Sequence, residues 1–257
     1  MGALTVYREA RAQELTEILH THPSSPWLNR INMLGDRGGG SVTQAAWVRA
    51  LIGTFLSVGR GRAQRGLFQA KLPDSDDPLD WSRAQQAAFL IQLWVDVKRA
   101  IDVSRQQHYW IRVYKSDTDL AIRSKTSMLN QDMGIRALFM VANEIFYARS
   151  TEWKLAEWQI ITSETASTDF RQIDDALTSL SHARFRARIS ELAVEIARFD
   201  WRSFDGPEVS IEQRQIKRTY RGSGGYGALR DDILAEIATG EAEIGRVAQA
   251  LAAAKEA

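Results

Sequence analysis

"SRAQQAAFLIQLWVDVKRAIDV", residues 82–103, is the stretch whose reading decides the fold. Phe89, Leu90, Leu93, Trp94, Val97 and Ile101 recur at spacings of three and four, which gathers them on one side of a helix. Asp80 or Ser82 stands where an N-cap is needed. The rest of the chain repeats this period. Residues 4–20 bring Leu4, Tyr7, Ala10, Leu15 and Leu19 close to one stripe, and that helix stops before Pro23. A helix after the glycine run carries Ala45, Val48, Leu51, Ile52 and Phe55, with Ser41 and Gln44 in the form of a capping box. The spacing predicts another helix over 131–149, turning Ile135, Leu138, Phe139, Ala142, Ile145 and Phe146 inward. Shorter helices are predicted over 151–161 and 169–180. One over 183–199 buries Phe185, Ile189, Leu192 and Ile196, and a last one runs from 226 with Leu229, Ile233, Ile237, Ile244, Val247 and Leu251 inside.

Between these helices lie long irregular connections. Residues 59–81 read as exposed, basic in "GRGRAQRGLFQAK" and acidic in "PDSDDPLD". "HYWIRVY", residues 108–114, alternates and is either a short strand or a packed extended loop. Residues 200–225 are irregular, interrupted by Gly206-Pro207 and ending in "YRGSGGYG". The expectation is an all-α fold, one helical domain over 1–257 with seven to eight helices.

A chain of 257 residues can bury a sizeable core without a second domain. Its 44% hydrophobic and 25% charged residues are those of an ordinary soluble globular protein. The net charge of +1 supplies no global field, so attraction to nucleic acid or membrane must come from local patches. The absence of cysteine excludes disulfides, thiolate nucleophiles and Cys-ligated zinc. The first 19 residues read as an amphipathic helix with acids rather than a signal peptide. No window reaches the roughly 18 apolar residues of a membrane span. A soluble, cytoplasmic protein with no membrane partner is expected.

Two glycine-rich stretches are the candidates for ligand contact. Gly35-Asp36-Arg37-Gly38-Gly39-Gly40 precedes Ser41 and a helix, and free N–H groups at a helix start attract anions. A Walker loop would need Lys and Ser/Thr after its last glycine, and here Ser41-Val42 follow. Gly38, Gly39, Gly40 and Ser41 are therefore read as a turn that orients the helix, with anion contact second. The other stretch is "IKRTYRGSGGYGALRDDIL", residues 216–234. Lys217, Arg218 and Arg221 lead into glycines flanked by Tyr220 and Tyr226, a mix suited to phosphate contact by the cations and base stacking by the tyrosines. Arg60, Arg62 and Arg65 form a second basic patch. The competing reading is a solvated loop whose charges pair with nearby aspartates.

Classical sites are poorly represented. His20 and His22 straddle a helix end, where positive charge is favourable on its own account. His108 lies among glutamines and Trp110, and reads as packed. The "DSDD" run lacks the glycine and terminal glutamate of a calcium loop. No catalytic residue, metal site or cofactor is expected.

Three segments together look like one family. "SSPWLNRINMLGDRGGGSVTQAAWVRALIGTF" (24–55), "LNQDMGIRALFMVANEI" (129–145) and "YRGSGGYGALRDDIL" (220–234) resemble the helical C-terminal half of DGQHR-domain proteins. The resemblance implies a bacterial DNA-associated protein of DNA-modification and defence systems, related to the regulator of DNA phosphorothioation and more distantly to ParB-like domains. The Asp-Gly-Gln-His-Arg signature is absent. Arg105-Gln106-Gln107-His108-Tyr109 shares only Gln-His with it and lies in the wrong place. In the family the signature belongs upstream of the region equivalent to residue 1. The chain is therefore expected to be a C-terminal half from a split or truncated gene, and the signature's activity does not carry over. The leading expectation is a non-enzymatic DNA-associated module that works with a protein partner supplying the N-terminal half, or by self-association. The alternatives are an interaction scaffold and, third, a nucleotide hydrolase using the Gly35–Gly40 loop.

Overall fold

Helix α3 (Arg83–Val103) is the axis on which the other elements are hung. Its start is set by a capping box: Ser82 Oγ accepts from Gln85 N–H (3.2 Å) and the Gln85 side chain accepts from Ser82 N–H (2.9 Å). Fourteen of its 21 residues are buried, more than one face can hold, so α3 is enclosed from several sides. It packs against α1 (Gly2–Thr21), α6 (Phe170–Ser181) and α7 (Arg186–Arg198).

The computed structural model describes residues 2–35, 42–59, 65–69, 79–114, 123–158, 169–222 and 224–256. The remaining helices among them are α2 (Gln44–Gly53), α4 (Tyr109–Arg112), α5 (Asp132–Ala148), α8 (Ile211–Thr219), α9 (Gly225–Ala238) and α10 (Glu243–Glu256). No strand occurs among the described residues, only three isolated bridges. The fold is all-α, with ten helices among the described residues where seven to eight were expected. None of the described helices is long and apolar enough to cross a membrane.

Trp27, Trp47 and Trp94 meet at the centre, their ring centroids 4.8, 5.0 and 5.7 Å apart. Phe139 lies 5.7 Å from Trp47, which ties α5 to α2, to α3 and to the loop after α1. All four side chains are buried. Most of the ring pairs are edge-to-face, the geometry the aromatic quadrupole favours. Gly134, in the first turn of α5, passes so close to the Met128 carbonyl that a Cβ would lie 1.8 Å from it. Only glycine lets α5 begin there.

Several expectations are corrected. Tyr7 and Ala10 are exposed, because α1 turns Arg11, Ala12, Leu15, Ile18 and Leu19 inward instead. In α2 the inward face contains Ala46, Trp47, Ala50 and Leu51, while Ala45 is exposed; the bulk of Trp47 sets the rotation. Thr43, not Ser41, is the N-cap of α2, and Ser41 lies outside the described residues. The connection 59–81 is not wholly exposed: Leu67, Phe68, Leu79 and Trp81 are buried. Phe68 stacks on Phe55, and Leu67 N–H donates to Asn143 Oδ1 (2.7 Å).

"HYWIRVY" contains the short helix α4, since Trp110 and Ile111 bury side by side where a strand would separate them to opposite faces. Of the helix expected over 151–161, residues 159–161 lie outside the described residues, and 151–158 form a turn with a 3-10 segment at Leu155–Glu157, preceded by Lys154 in the left-handed conformation. The irregular 200–225 stretch contains α8. The C-terminal helix is two, α9 and α10, broken at Thr239–Gly240, where Gly240 runs against the Glu195 carboxylate. The "DSDD" run lies outside the described residues.

Removing the central indole tests this architecture. Trp47→Ala is expected to lower unfolding free energy by about 3–5 kcal/mol in urea denaturation, while Val194→Ala, at an exposed position, stays within about 0.5 kcal/mol.

Candidate nucleic-acid interface

The residues proposed for phosphate contact divide by the face of α8 they occupy. Helix α8 begins at Ser210, which forms a capping box with Gln213. Its inward stripe is Lys217 and then Tyr220, three residues on, while Ile211 and Ile216 are exposed. Hydropathy alone would turn this helix the other way.

Lys217 is 7% exposed. Its Nζ donates to the Asp200 carbonyl (2.7 Å) and lies 3.6 Å from Asp200 Oδ2. Burial pushes the Lys217 ammonium below the usual lysine range, partly offset by the charge of Asp200. Tyr220 is 4% exposed, and its hydroxyl donates to Asp232 Oδ2 (2.5 Å). Burial and that carboxylate push the phenol upward. Neither side chain is presented to a ligand, which removes both from the contact set.

The partner of Lys217 is itself part of a larger network. Arg202 is buried and gives Nε and Nη2 to the two oxygens of Asp200 (2.9 and 2.8 Å) and Nη1 to the carbonyls of Pro207 and Glu208. Burial disfavours the Asp200 carboxylate, but the bonds from Arg202 and the charge of Lys217 outweigh it and hold its pKa below the usual range. The loop 200–208 is thereby pinned, and it presents Phe204.

Phe204 collects the cations that remain exposed. The Arg221 guanidinium lies 4.0 Å and that of Arg218 5.7 Å from its ring centroid. A guanidinium stacked on a ring keeps its N–H edge free for an oxyanion. Ser203 N–H donates to the Thr126 carbonyl (2.7 Å), so the segment 123–128, with exposed Arg123 and Lys125, runs beside this loop. Arg214, on α8, and Arg112, whose guanidinium is 5.6 Å from the Tyr109 ring, are also exposed. None of Arg112, Arg123, Lys125, Arg214, Arg218 and Arg221 has a carboxylate partner among the described residues.

The acids of this region are held by hydroxyls. Asp205 accepts from Ser203, Glu208 from Tyr109, Glu212 from Ser210 and Asp132 from Tyr226. The alternative in which the loop charges pair with nearby aspartates therefore applies to Lys217 and not to Arg218 or Arg221.

The other expected contacts are dispersed. Tyr226 is half-buried with one ring face covered by Arg136, 4.5 Å from the centroid. Arg65 is exposed, and its carbonyl accepts from Asn143 Nδ2 (3.1 Å). Asn143 is 11 residues, about 16 Å, along α5 from Asp132, which meets Tyr226. Arg60, Arg62, Gly38, Gly39, Gly40 and Ser41 lie outside the described residues. Sequence reasoning missed Phe204, Lys125, Arg112 and Arg214. The one local signal was the pair of arginines a helical turn apart, Arg214 and Arg218, which needed α8 to be recognised as a helix.

His20 and His22 make structural contacts. Nδ1 of His20 accepts from Ile31 N–H and Nδ1 of His22 from Ser24 N–H. Burial pushes His22 and His108 downward, toward the neutral form. No group of three metal-ligating side chains occurs among the described residues.

No family model, curated protein or solved structure matches the chain.

The Asp200 network carries a pH signature. A depressed carboxyl pKa contributes stability that is present above the unfolded value of 3.8 and is lost as pH falls through the lower folded value. Asp200→Asn is therefore expected to lower stability at pH 7 and to flatten the part of the acid limb just below pH 4 in urea titrations. An acid limb of unchanged shape in the variant would mean that other carboxylates dominate it.

Proposed function

We propose that the chain is a non-enzymatic, DNA-associated helical module of the DGQHR type, and that it touches the sugar–phosphate backbone through Arg218 and Arg221 with Lys125, Arg123, Arg214 and Arg112 around them. The observation that carries this reading is the pair of guanidiniums over the Phe204 ring, neither with a carboxylate partner among the described residues. Cations held in place by an aromatic ring lose little freedom on meeting a phosphate. The chain's net charge of +1 makes the attraction local, so association depends on presenting this one face. Contacts of this kind position a protein on DNA and carry no sequence information directly. Base readout and the partner that completes the module, in this reading, belong to the segment upstream in the family, or to a second protein chain.

The test is fluorescence anisotropy of the full chain on a labelled duplex across a salt series. Binding is expected to weaken with salt, and Arg218→Ala with Arg221→Ala to reduce the slope of log K against log salt by about 2, one unit per lost phosphate contact. Lys217→Ala is expected to leave that slope unchanged and to lower thermal stability instead, because it strips Asp200 of a buried partner. A slope that responds to Lys217 and not to the two arginines refutes the assignment.

A further inference from the structure

Away from these residues, a cavity of about 280 Å³ opens between the turn that follows α5 and the junction of α6 with α7. Lys154, Glu157, Trp158, Ser179, His182 and Arg184 line it. Its charges converge on one carboxylate. Glu157 Oε1 lies 2.8 Å from Lys154 Nζ, and Oε2 lies 3.3 Å from an Arg184 nitrogen. Two cations from parts of the chain 30 residues apart are thus aimed at a single oxyanion position, and Glu157 occupies it.

The rest of the lining is left with donors to offer. Ser179 Oγ accepts the Trp158 indole N–H (3.2 Å), which leaves its own hydrogen available. The His182 ring has no hydrogen-bond or ion-pair partner among the described residues. Trp158 is fixed from behind, its carbonyl accepting from the Gln85 side chain in α3. The last turn of α6 brings its partial negative charge to this cavity, so the attraction for an anion falls to Lys154 and Arg184.

The backbone supplies a second, independent sign. Lys154 has φ 58° and ψ 44°, the left-handed conformation in which glycine is the low-cost residue. Strain of this kind gathers at ligand-binding positions. Here it is carried by a residue that lines the cavity and pairs with Glu157.

We propose that this cavity binds the phosphate group of a small phosphorylated metabolite, or free phosphate, and that Glu157 acts as a built-in competitor which the incoming oxyanion displaces from Lys154 and Arg184. The volume lies at the small end of ligand sites, which run from roughly 300 Å³ upward, and so fits a phosphomonoester of a few carbons. None of the residues assigned to the DNA face takes part, so this site stands whether or not that assignment holds.

Isothermal titration calorimetry of the full chain at constant ionic strength tests it, with inorganic phosphate in one arm and glycerol 3-phosphate in the other. Saturable binding is expected in at least one arm, and the tighter arm names the source. Glu157→Gln should tighten binding about five- to twentyfold, since a carboxamide is a poor competitor for two cations. Lys154→Gly should weaken binding at least tenfold while leaving the melting temperature equal or higher, because it removes the cation and relieves the backbone together. Three results would overturn the proposal. They are no saturable heat in either arm from both the unaltered chain and Glu157→Gln, affinity unchanged in Lys154→Gly, or weaker binding in Glu157→Gln.

Discussion

Everything in this chain is built against the contact of Trp27, Trp47 and Trp94 with Phe139. These side chains come from four places: the loop after α1, then α2, α3 and α5. Aromatic rings bury large areas with few rotatable bonds, so a cluster of four fixes the relative positions of its supports at low entropic cost. The three indole N–H groups in it have no oxygen or nitrogen partner among the described residues. That expense is tolerable only where the packing gain is large, which marks the cluster as the place where shape complementarity counts most. From it the buried apolar residues extend as one connected cluster out to Ile244 and Val247 of α10. Its outer layers are tuned by polar anchors, such as Arg11 spanning from α1 to Gln86 and the Arg83 carbonyl of α3.

The same chain solves a different problem in residues 200–222. Trp201, Val209 and Tyr220 fold back on the body of the protein. Between them the segment is also held by charge. Asp200 takes Arg202 on two oxygens and Lys217 on a third contact, and Arg202 spends its remaining donor on two carbonyls. Buried ion networks of this kind cost desolvation, and their return is one geometry rather than large net stability. The geometry obtained here leaves Phe204 half-buried with two arginines over its ring. Inward charges set the loop, and outward charges are what the loop presents.

This division explains what the sequence made legible. Long helices with strong period, α3, α5 and α7, were readable to within three residues, because their apolar positions repeat over at least three turns. Every inward residue expected for those three is buried. The all-α class followed from them. The short helix α6 lies within one residue of its expected bounds, but α4 and α8 were not readable, since they bury too few apolar residues to set a period. In α8 the rule reverses, with Ile211 and Ile216 outside and Lys217 inside, because the nearest carboxylate lies beneath the helix. The split between α9 and α10 was hidden because the apolar spacing continues through Gly240 on both sides. At the candidate site the sequence did not distinguish Arg218 and Arg221 from Lys217 and Tyr220. What separates them is the position of Asp200 and Asp232, a tertiary fact. Phe204 and Lys125 became relevant only when the 201–203 segment was laid beside 123–128.

Charge bookkeeping therefore has to be done by partner rather than by residue type. A region with nearly equal acids and bases reads as neutral in sequence. Here the carboxylates of Asp205, Glu208, Glu212 and Asp132 are engaged by hydroxyl groups, which do not cancel their charge but do fix their direction. The guanidiniums of Arg218 and Arg221 are engaged by a ring, which leaves both charge and hydrogen-bonding edges outward. Two neighbouring groups of opposite sign are thus kept apart by partners that neutralise neither. Under the two proposals, an incoming phosphate would meet cations at Phe204 that carry no carboxylate partner among the described residues, whereas at Lys154 and Arg184 it would first have to displace Glu157. The two basic regions of this protein differ in that one respect. It decides whether salt screening or an internal carboxylate sets the threshold for binding an anion.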